Sequence, residues 1–263
     1  MQERHLDRVR YSKEQGETTE KYVIPYVQDL VEINVNTRVL EIGCGEGGNL
    51  IPFMEIGCKI TGVDLNVGQV EVAKEVHSSH PNNNKNLTLI ADDIYNISEG
   101  DIGKFDLIMM RDVIEHIPNQ EVFLNHLKQF LSEKGKVFFG FPPWQMPFGG
   151  HQQICENKFA SKLPYYHLLP YSLYKGMLKM FGEKQETIDE LVEIKDTGIS
   201  IERFQKIVSK NEYKVDKKTI YFINPNYEVK FNLKPRKQLG LVAGIPVLRN
   251  FLSTCAYYVI SLK

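Results

Sequence analysis

Apolar residues recur at helical spacing over residues 18–33. Tyr22, Val23, Tyr26, Val27, Leu30 and Val31 form one face there, behind Thr18 and Thr19, which suit a helix cap. The pattern then shortens. Residues 37–42 are an apolar run that stops at a cluster of glycines, after which Leu50, Ile51 and Met54 resume a helical spacing. KITGVD (59–64) reads as a second strand, VGQVEVAKEVHSS (67–79) as a helix and HPNNNKN (80–86) as a loop of turn formers. LTLIADD (87–93) and KFDLIMMR (104–111) read as the third and fourth strands. EVFLNHLKQFLSEKG (121–135) is an amphipathic helix closed by Gly135, and KVFFGF (136–141) is a fifth strand ended by Pro142 and Pro143.

Strands alternating with helices imply right-handed crossovers and a mainly parallel sheet with helices on both faces. Ligands of such sheets sit beyond the carboxyl ends of the strands. The residues to inspect are therefore Glu41, Asp64, Asp92, Asp93, Arg111 and Asp112, then those from Pro142 onward. After the fifth strand the pattern loosens. Residues 144–198 are rich in aromatics, with no clean strand period, and are expected to form an insertion that serves as a lid or substrate wall. Residues 199–213 contain one more helix, capped by Ser200, and residues 217–231 read as two strands joined by a turn at Asn224–Asn226. Residues 1–263 form one domain, and residues 238–263 are expected as a tail that packs on the core.

The chemistry concentrates in VLEIGCGEGGNL (39–50). Gly43, Gly45 and Gly48 fit a dinucleotide fingerprint, whereas Gly43, Gly45 and Gly47 fit a loop that holds a sulfonium donor. Glu41 discriminates. A carboxylate there repels a pyrophosphate and suits an ammonium group. Asp64 ends the second strand, where it can accept two ribose hydroxyls. Asp93 and Ile94 end the third, placed for an adenine edge.

The ordered set VLEIGCGEGGNL, ITGVDLN, LIADDIYNI, FDLIMMRDVIEHI and GKVFFGFPP resembles the class I S-adenosylmethionine-dependent methyltransferases over residues 37–143. The resemblance implies a Rossmann-like seven-stranded sheet, mostly parallel, whose antiparallel final hairpin residues 217–233 supply. It implies S-adenosylmethionine as cofactor. Glu41, Gly43, Cys44 and Gly45 would lie on its methionine and ribose side, Asp64 on the ribose, Leu65 against adenine, Asp93 and Ile94 on the adenine edge, and Arg111 near the donor. Many members have Gly where this chain has Asp92, so the choice between Asp92 and Asp93 stays open.

Methyl transfer to oxygen needs positioning and removal of a proton. His151, preceded by Gly149 and Gly150, is expected to face the acceptor as a base or orienting group, and His116 in RDVIEHI is the second catalytic candidate. Asp112, Glu115 and His116 have the spacing D-x-x-E-H. It resembles the E-x-x-E-H that binds a divalent ion in ubiquinone-pathway O-methyltransferases and small-RNA 2′-O-methyltransferases, and His151 could complete the set. With Asp in place of the first Glu, no metal is expected. Trp144, Tyr165, Tyr166 and His167 are expected to stack on a substrate ring or sugar face, and Tyr11, in RVRYSKEQGET, to fold over the donor.

Charge and composition narrow the class. Residues 201–263 hold 12 Lys or Arg against 4 Asp or Glu, inside a chain whose net charge is only −1. This basic section carries no RNA-binding signature, so an acceptor that is a small molecule, such as a sugar, glycan precursor or aromatic metabolite, is preferred over RNA or DNA. A non-catalytic S-adenosylmethionine-binding protein is the other alternative, and Glu41 disfavours an NAD-linked oxidoreductase. The four dispersed cysteines and the charged start MQERHLDRVR suit a cytoplasmic protein without a signal peptide. Pro246, Arg249 and Asn250 break the most apolar stretch, so no integral membrane segment is expected and membrane contact would be weak and peripheral.

Overall fold

The computed structural model describes residues 8–78 and 86–263. The loop expected over 80–86 and the charged start at 1–7 lie almost wholly outside the described residues. Eight strands form one sheet: β1 (Arg38–Ile42), β2 (Lys59–Asp64), β3 (Leu87–Ala91), β4 (Phe105–Arg111), β5 (Leu131–Phe141), β6 (Tyr213–Ile223), β7 (Arg236–Lys237) and β8 (Cys255–Leu262). Their order is β3-β2-β1-β4-β5-β8-β6-β7. The first five are parallel, and β8 runs antiparallel to both β5 and β6.

Alternation along the strands explains the two cores. Successive side chains leave opposite faces of a strand. Leu40, Ile108, Met110 and Phe139 pack on one face with Phe123, Leu124, Phe204 and Ile207 from the helices Gln120–Leu127 and Ile201–Lys210. Val39, Leu107, Met109 and Phe138 pack on the other with Val23, Val27, Phe53 and Met54. Ser200 caps the second of those helices, its hydroxyl accepting from the Arg203 backbone N–H at 3.1 Å.

Several elements differ from the sequence expectation. The sheet has eight strands rather than seven because the two-residue β7 adds an edge to β6. The antiparallel hairpin is not built from residues 217–233. Residues Asn226–Phe231 are a helix, and the partner of β6 is β8, which inserts between β6 and β5. The residues Cys255–Ser261 are all buried, so this part of the tail is a sheet strand rather than a covering. The first helix is described from Arg8 and continues through a π turn, Thr19–Val23, to Val27. Thr18 and Thr19 are buried inside it and do not cap it. The helix after β4 ends near Phe130, because β5 already pairs with β4 at Leu131. Residues 144–198 hold the helices Tyr171–Met180 and Gln185–Thr197 and a separate small core of Cys155, Tyr166, Tyr174, Leu178, Ile188 and Leu191.

The strand order reverses between β1 and β4, the place where sheets of this kind hold a ligand in a crevice at the carboxyl ends of the strands. Glu41, Asp64 and Arg111 all stand at that end.

Candidate functional site

The turn after β1 is held open by positive-φ glycines: Gly43 at 72° and Gly47 at 74°. At Gly43 a Cβ would lie 2.4 Å from the Val113 side chain, and at Gly47 it would meet the His77 ring at 2.5 Å. Only glycine satisfies both the backbone and the space. Asp64 ties this turn to β2. One carboxylate oxygen accepts from Gly45 N at 2.7 Å and the other from Asn66 N at 2.8 Å. Cys44 is buried beneath the turn, and burial pushes its thiol pKa up.

Behind the turn lies a buried polar relay. Glu41 is wholly buried, and its Oε1 accepts from Asn49 Nδ2 at 2.7 Å, while Oε2 has no hydrogen-bond partner. Asn49 Oδ1 accepts in turn from Arg111 Nη1 at 2.8 Å and Thr19 Oγ1 at 2.9 Å. Arg111 also donates toward Gln15 O at 3.3 Å. Asn49 therefore stands between the Glu41 carboxylate and the Arg111 guanidinium. Burial raises the Glu41 pKa to about 8, against the lowering effect of Asn49 and Arg111. The π turn sets Thr19 in this relay. Asn49 lies inside the quoted glycine stretch and Thr19 was read as a helix cap, but nothing in the spacing of Asn49, Thr19 and Gln15 marked them as partners in a site.

Farther along the crevice Leu65 is 69% exposed, an aliphatic side chain with an open face. Asp92 accepts from Asp93 N and Asn96 Nδ2, and Asp93 caps the turn Ile94–Asn96 by accepting from Tyr95 N at 3.0 Å. Ile94 is buried, and its carbonyl accepts a hydrogen bond from the His126 ring. The helix Arg8–Thr18 lies over the glycine turn, close enough that a Cβ on Gly48 would stand 2.5 Å from Ser12 O. It brings Tyr11 into the field of Asp112, Arg111 and Glu46, and burial with Asp112 raises the phenol pKa.

Beyond β4 the chain turns sharply at Asp112, φ 56°, into the short turn Ile114–His116. Beyond β5, His151 also has a positive φ, 54°. These two turns bring His116 and His151 together edge to face, ring centroids 4.8 Å apart. Glu115 joins them, and one ligand atom from each of the three lies within 4.8 Å of the others. Glu115 is 4% exposed, and neither carboxylate oxygen has a hydrogen-bond partner in another residue. Burial, reinforced by Asp112, holds its pKa well above the usual carboxylate range. Burial, then His116 and His167, pushes the His151 pKa down to about 3, so this imidazole is neutral and its lone pair is available. One orphaned carboxylate and two imidazoles are a donor set for a divalent cation such as zinc, manganese or iron. No metal was expected from the sequence. The spacing of Glu115 and His116 was visible there, but not the burial that strips Glu115 of partners.

The aromatic residues of the insertion separate into two groups. Tyr166 is buried in the small core with its hydroxyl 3.4 Å from Cys155 Sγ, and His167 is fully buried, its Nε2 bonded to Trp144 O at 2.9 Å. Trp144 is half-buried against the His167 ring and Gly198. Tyr165 alone of the four is exposed, and its hydroxyl donates to Phe251 O.

The methyltransferase domain family matches residues 16–160, more than half of the chain. The chain is 31% identical over 122 residues to a ubiquinone biosynthesis O-methyltransferase of Bartonella tribocorum, covering 45% of this chain and 47% of that protein. It is 32% identical over 117 residues to the protein of the same name from Glaesserella parasuis, covering 44% and 49%. The chain thus spans about half the length of the curated relatives it matches. Among solved structures, it is similar to magnesium protoporphyrin IX methyltransferase from Synechocystis with bound S-adenosylhomocysteine, with a TM-score of 0.55, 15% identity and coverage of 97% of this chain and 85% of that one. Geranyl diphosphate C-methyltransferase from Streptomyces coelicolor, in complex with Mg2+, geranyl diphosphate and S-adenosylhomocysteine, gives 0.56 at 12% identity, with 93% and 81% covered. By the family match across its glycine turn and strand ends, and by the fold it shares with these enzymes, the chain belongs to the class I S-adenosylmethionine-dependent methyltransferases.

Proposed function

We propose that this protein transfers a methyl group from S-adenosylmethionine to a hydroxyl oxygen of a small hydroxylated aromatic acceptor, with a divalent cation at the acceptor side. The observation that carries the reading is the buried, unpartnered Glu115 carboxylate beside the His116 and His151 imidazoles. Relatives named for ubiquinone biosynthesis support an oxygen acceptor of aromatic type over a sugar or glycan precursor.

In this reading Glu41 faces the ammonium of the donor, Asp64 the ribose hydroxyls, Leu65 the adenine ring, and Asp93 with Ile94 its edge. Arg111, engaged by Asn49 and Gln15, holds the floor of the donor site rather than contacting substrate. S-adenosylmethionine, when bound, supplies an electrophilic methyl group on a sulfonium. Glu115, His116 and His151 would hold the cation, whose charge lowers the pKa of a hydroxyl beside it. The chain's own task is then alignment. The two positive-φ turns at Asp112 and His151 fix the ligand side chains from two different strand ends, so the acceptor oxygen is presented to the donor in one orientation. The acceptor proton leaves to water on the side where His116 is exposed. In the same reading Trp144 and Tyr165 would flank the acceptor, and Tyr11, on the helix over the glycine turn, would cover the donor.

The test is formation of S-adenosylhomocysteine and a methyl ether from a panel of dihydroxylated aromatics and sugar nucleotides, followed by mass spectrometry. Turnover of the aromatics is expected, with loss on chelation and in Glu115→Gln. Turnover unchanged by chelator and by Glu115→Gln would remove the cation from the reading. Cofactor binding without turnover of any hydroxyl acceptor would favour a non-catalytic protein.

A further inference from the structure

Between β7 and β8 the chain makes an excursion whose side chains do not behave like a packed tail. Its base is closed: Gln238 N donates to Ile220 O at 2.8 Å, and the Gln238 side chain donates to Leu252 O. Inside the excursion Ala243 packs toward the sheet core. Leu239 and Leu241, on either side of Gly240, are 73% and 81% exposed, and Val247 and Leu248 are also exposed.

This apolar edge is fixed. Glu202, on the helix Ile201–Lys210, accepts from Val247 N at 3.0 Å, Arg249 Nε at 2.8 Å and Asn250 Nδ2 at 2.6 Å. Val247 is held at φ 66°, a conformation that β-branched residues avoid and that persists only where its surroundings impose it. The fold thus spends backbone strain and a buried arginine on presenting aliphatic side chains to the outside. An exposed cluster of this kind marks an interaction surface.

Charge identifies the partner. Residues 229–263 contain no Asp or Glu, and of their six Lys or Arg, Arg249 is paired with Glu202. Lys234, Arg236 and Lys237, which lead into the excursion, are exposed. A second copy docking through the same patch would bring cations against cations. The exposed side chains are aliphatic, unlike the aromatic platforms that stack nucleic-acid bases. Cations beside aliphatic residues suit the headgroup and acyl boundary of an anionic bilayer. Among the described residues no helix is long and apolar enough to cross a membrane, so the contact is interfacial. Two hydrogen bonds also link it to the loop of the site. Phe251 O accepts from Tyr165, whose backbone N–H bonds Pro147 O in the loop that carries His151.

We propose that residues 239–252, with Lys234, Arg236 and Lys237, dock on an anionic lipid surface and hold the acceptor entrance against it. The full chain, without donor or acceptor, is floated with vesicles of phosphatidylcholine alone and of phosphatidylcholine with phosphatidylglycerol. Binding to the anionic vesicles, weakened by salt, is expected. Leu239→Asp with Leu241→Asp should weaken partitioning at least tenfold. Neutralising Lys234, Arg236 and Lys237 to Gln should weaken it roughly fivefold per cation. Both variants change only exposed side chains, and unchanged melting and S-adenosylhomocysteine affinity verify the fold. No binding to anionic vesicles at low salt, or equal binding by the leucine variant, would overturn the proposal. So would a leucine variant that turns a dimer into a monomer with no vesicle binding in either form. The readout needs no turnover, so its failure leaves the proposed reaction untouched.

Discussion

Replacing Glu41 by Gln separates two consequences of one buried carboxyl. Its pKa rises from the ordinary 4.5 to about 8 through burial. At pH 7 about nine-tenths of the free protein therefore keeps a proton that the unfolded chain has lost. Below the unfolded value both states are protonated and the group contributes no pH dependence. Between 4.5 and about 8 the folded state binds the extra proton, so stability falls as pH rises. The accumulated cost at pH 7 is about 3 kcal/mol. Gln keeps the oxygen that accepts from Asn49 and has no charge to suppress, so Glu41→Gln should stabilise the free protein at pH 7 by up to that amount and flatten its stability between pH 5 and 8. Donor binding should move the other way. An ammonium placed against the partnerless Oε2 favours the ionised form. Binding of S-adenosylhomocysteine should then expel up to about nine-tenths of a proton at pH 7, and affinity should rise from pH 6 to 8. Calorimetry in two buffers of different ionisation enthalpy reads the proton directly. Zero proton release by the wild type, or an unchanged dissociation constant in Glu41→Gln, would refute both the protonation state and the role.

Asp64→Ala should weaken S-adenosylhomocysteine binding by about 1–3 kcal/mol, because it removes the ribose acid and frees Gly45 N; an unchanged titration would show that Asp64 is not that acid. Gly43→Ala should destabilise the protein by at least about 1 kcal/mol from backbone strain alone, with the Val113 clash added, and Val113→Ala in the same chain should recover part of the loss in urea unfolding. Ser200→Ala should cost about 1 kcal/mol through loss of its bond to Arg203 N, read as a lower melting temperature with cofactor affinity unchanged.

The parallel half of the sheet was legible because its strands are apolar runs with marked ends: glycines after Ile42, an acid at Asp64, Arg111 at the end of β4, prolines after Phe141. The antiparallel half was not. Residues 226–231 alternate like a strand, yet Pro225 and the Asn224 side chain, which accepts from Asn226 N, start a helix. CAYYVISL is apolar on both faces, as a strand buried on both sides must be, but Pro246, Arg249 and Asn250 interrupt the stretch that leads into it, so residues 238–263 read as one tail packing on the core rather than as a sheet strand. At the site, positions at strand ends were readable and partners were not. His116 and His151 are far apart in sequence and meet only because β4 and β5 are neighbours. Tyr166 and His167 looked like substrate platforms because an aromatic run gives no clue to which rings face inward. The Asn49 relay depends on a π turn, a one-residue insertion in a helix that leaves no pattern of its own.

The position of β8 governs the order in which the sheet can form. Its two neighbours, β5 and β6, end at Phe141 and Ile223, whereas β8 begins at Cys255. During synthesis at about 5–20 residues per second, the β5 edge leaves the ribosome seconds before the strand that covers it exists. β6 likewise waits without a partner on that side. The β5 edge ends in the buried run VFFGF, the kind that recruits foreign strands when left open, whereas β6 carries Lys214, Asp216, Lys217 and Lys218, charges that guard an open edge. The nascent chain therefore passes through an interval in which the donor-side half-sheet can pair while its β5 border stays uncovered until β8 arrives.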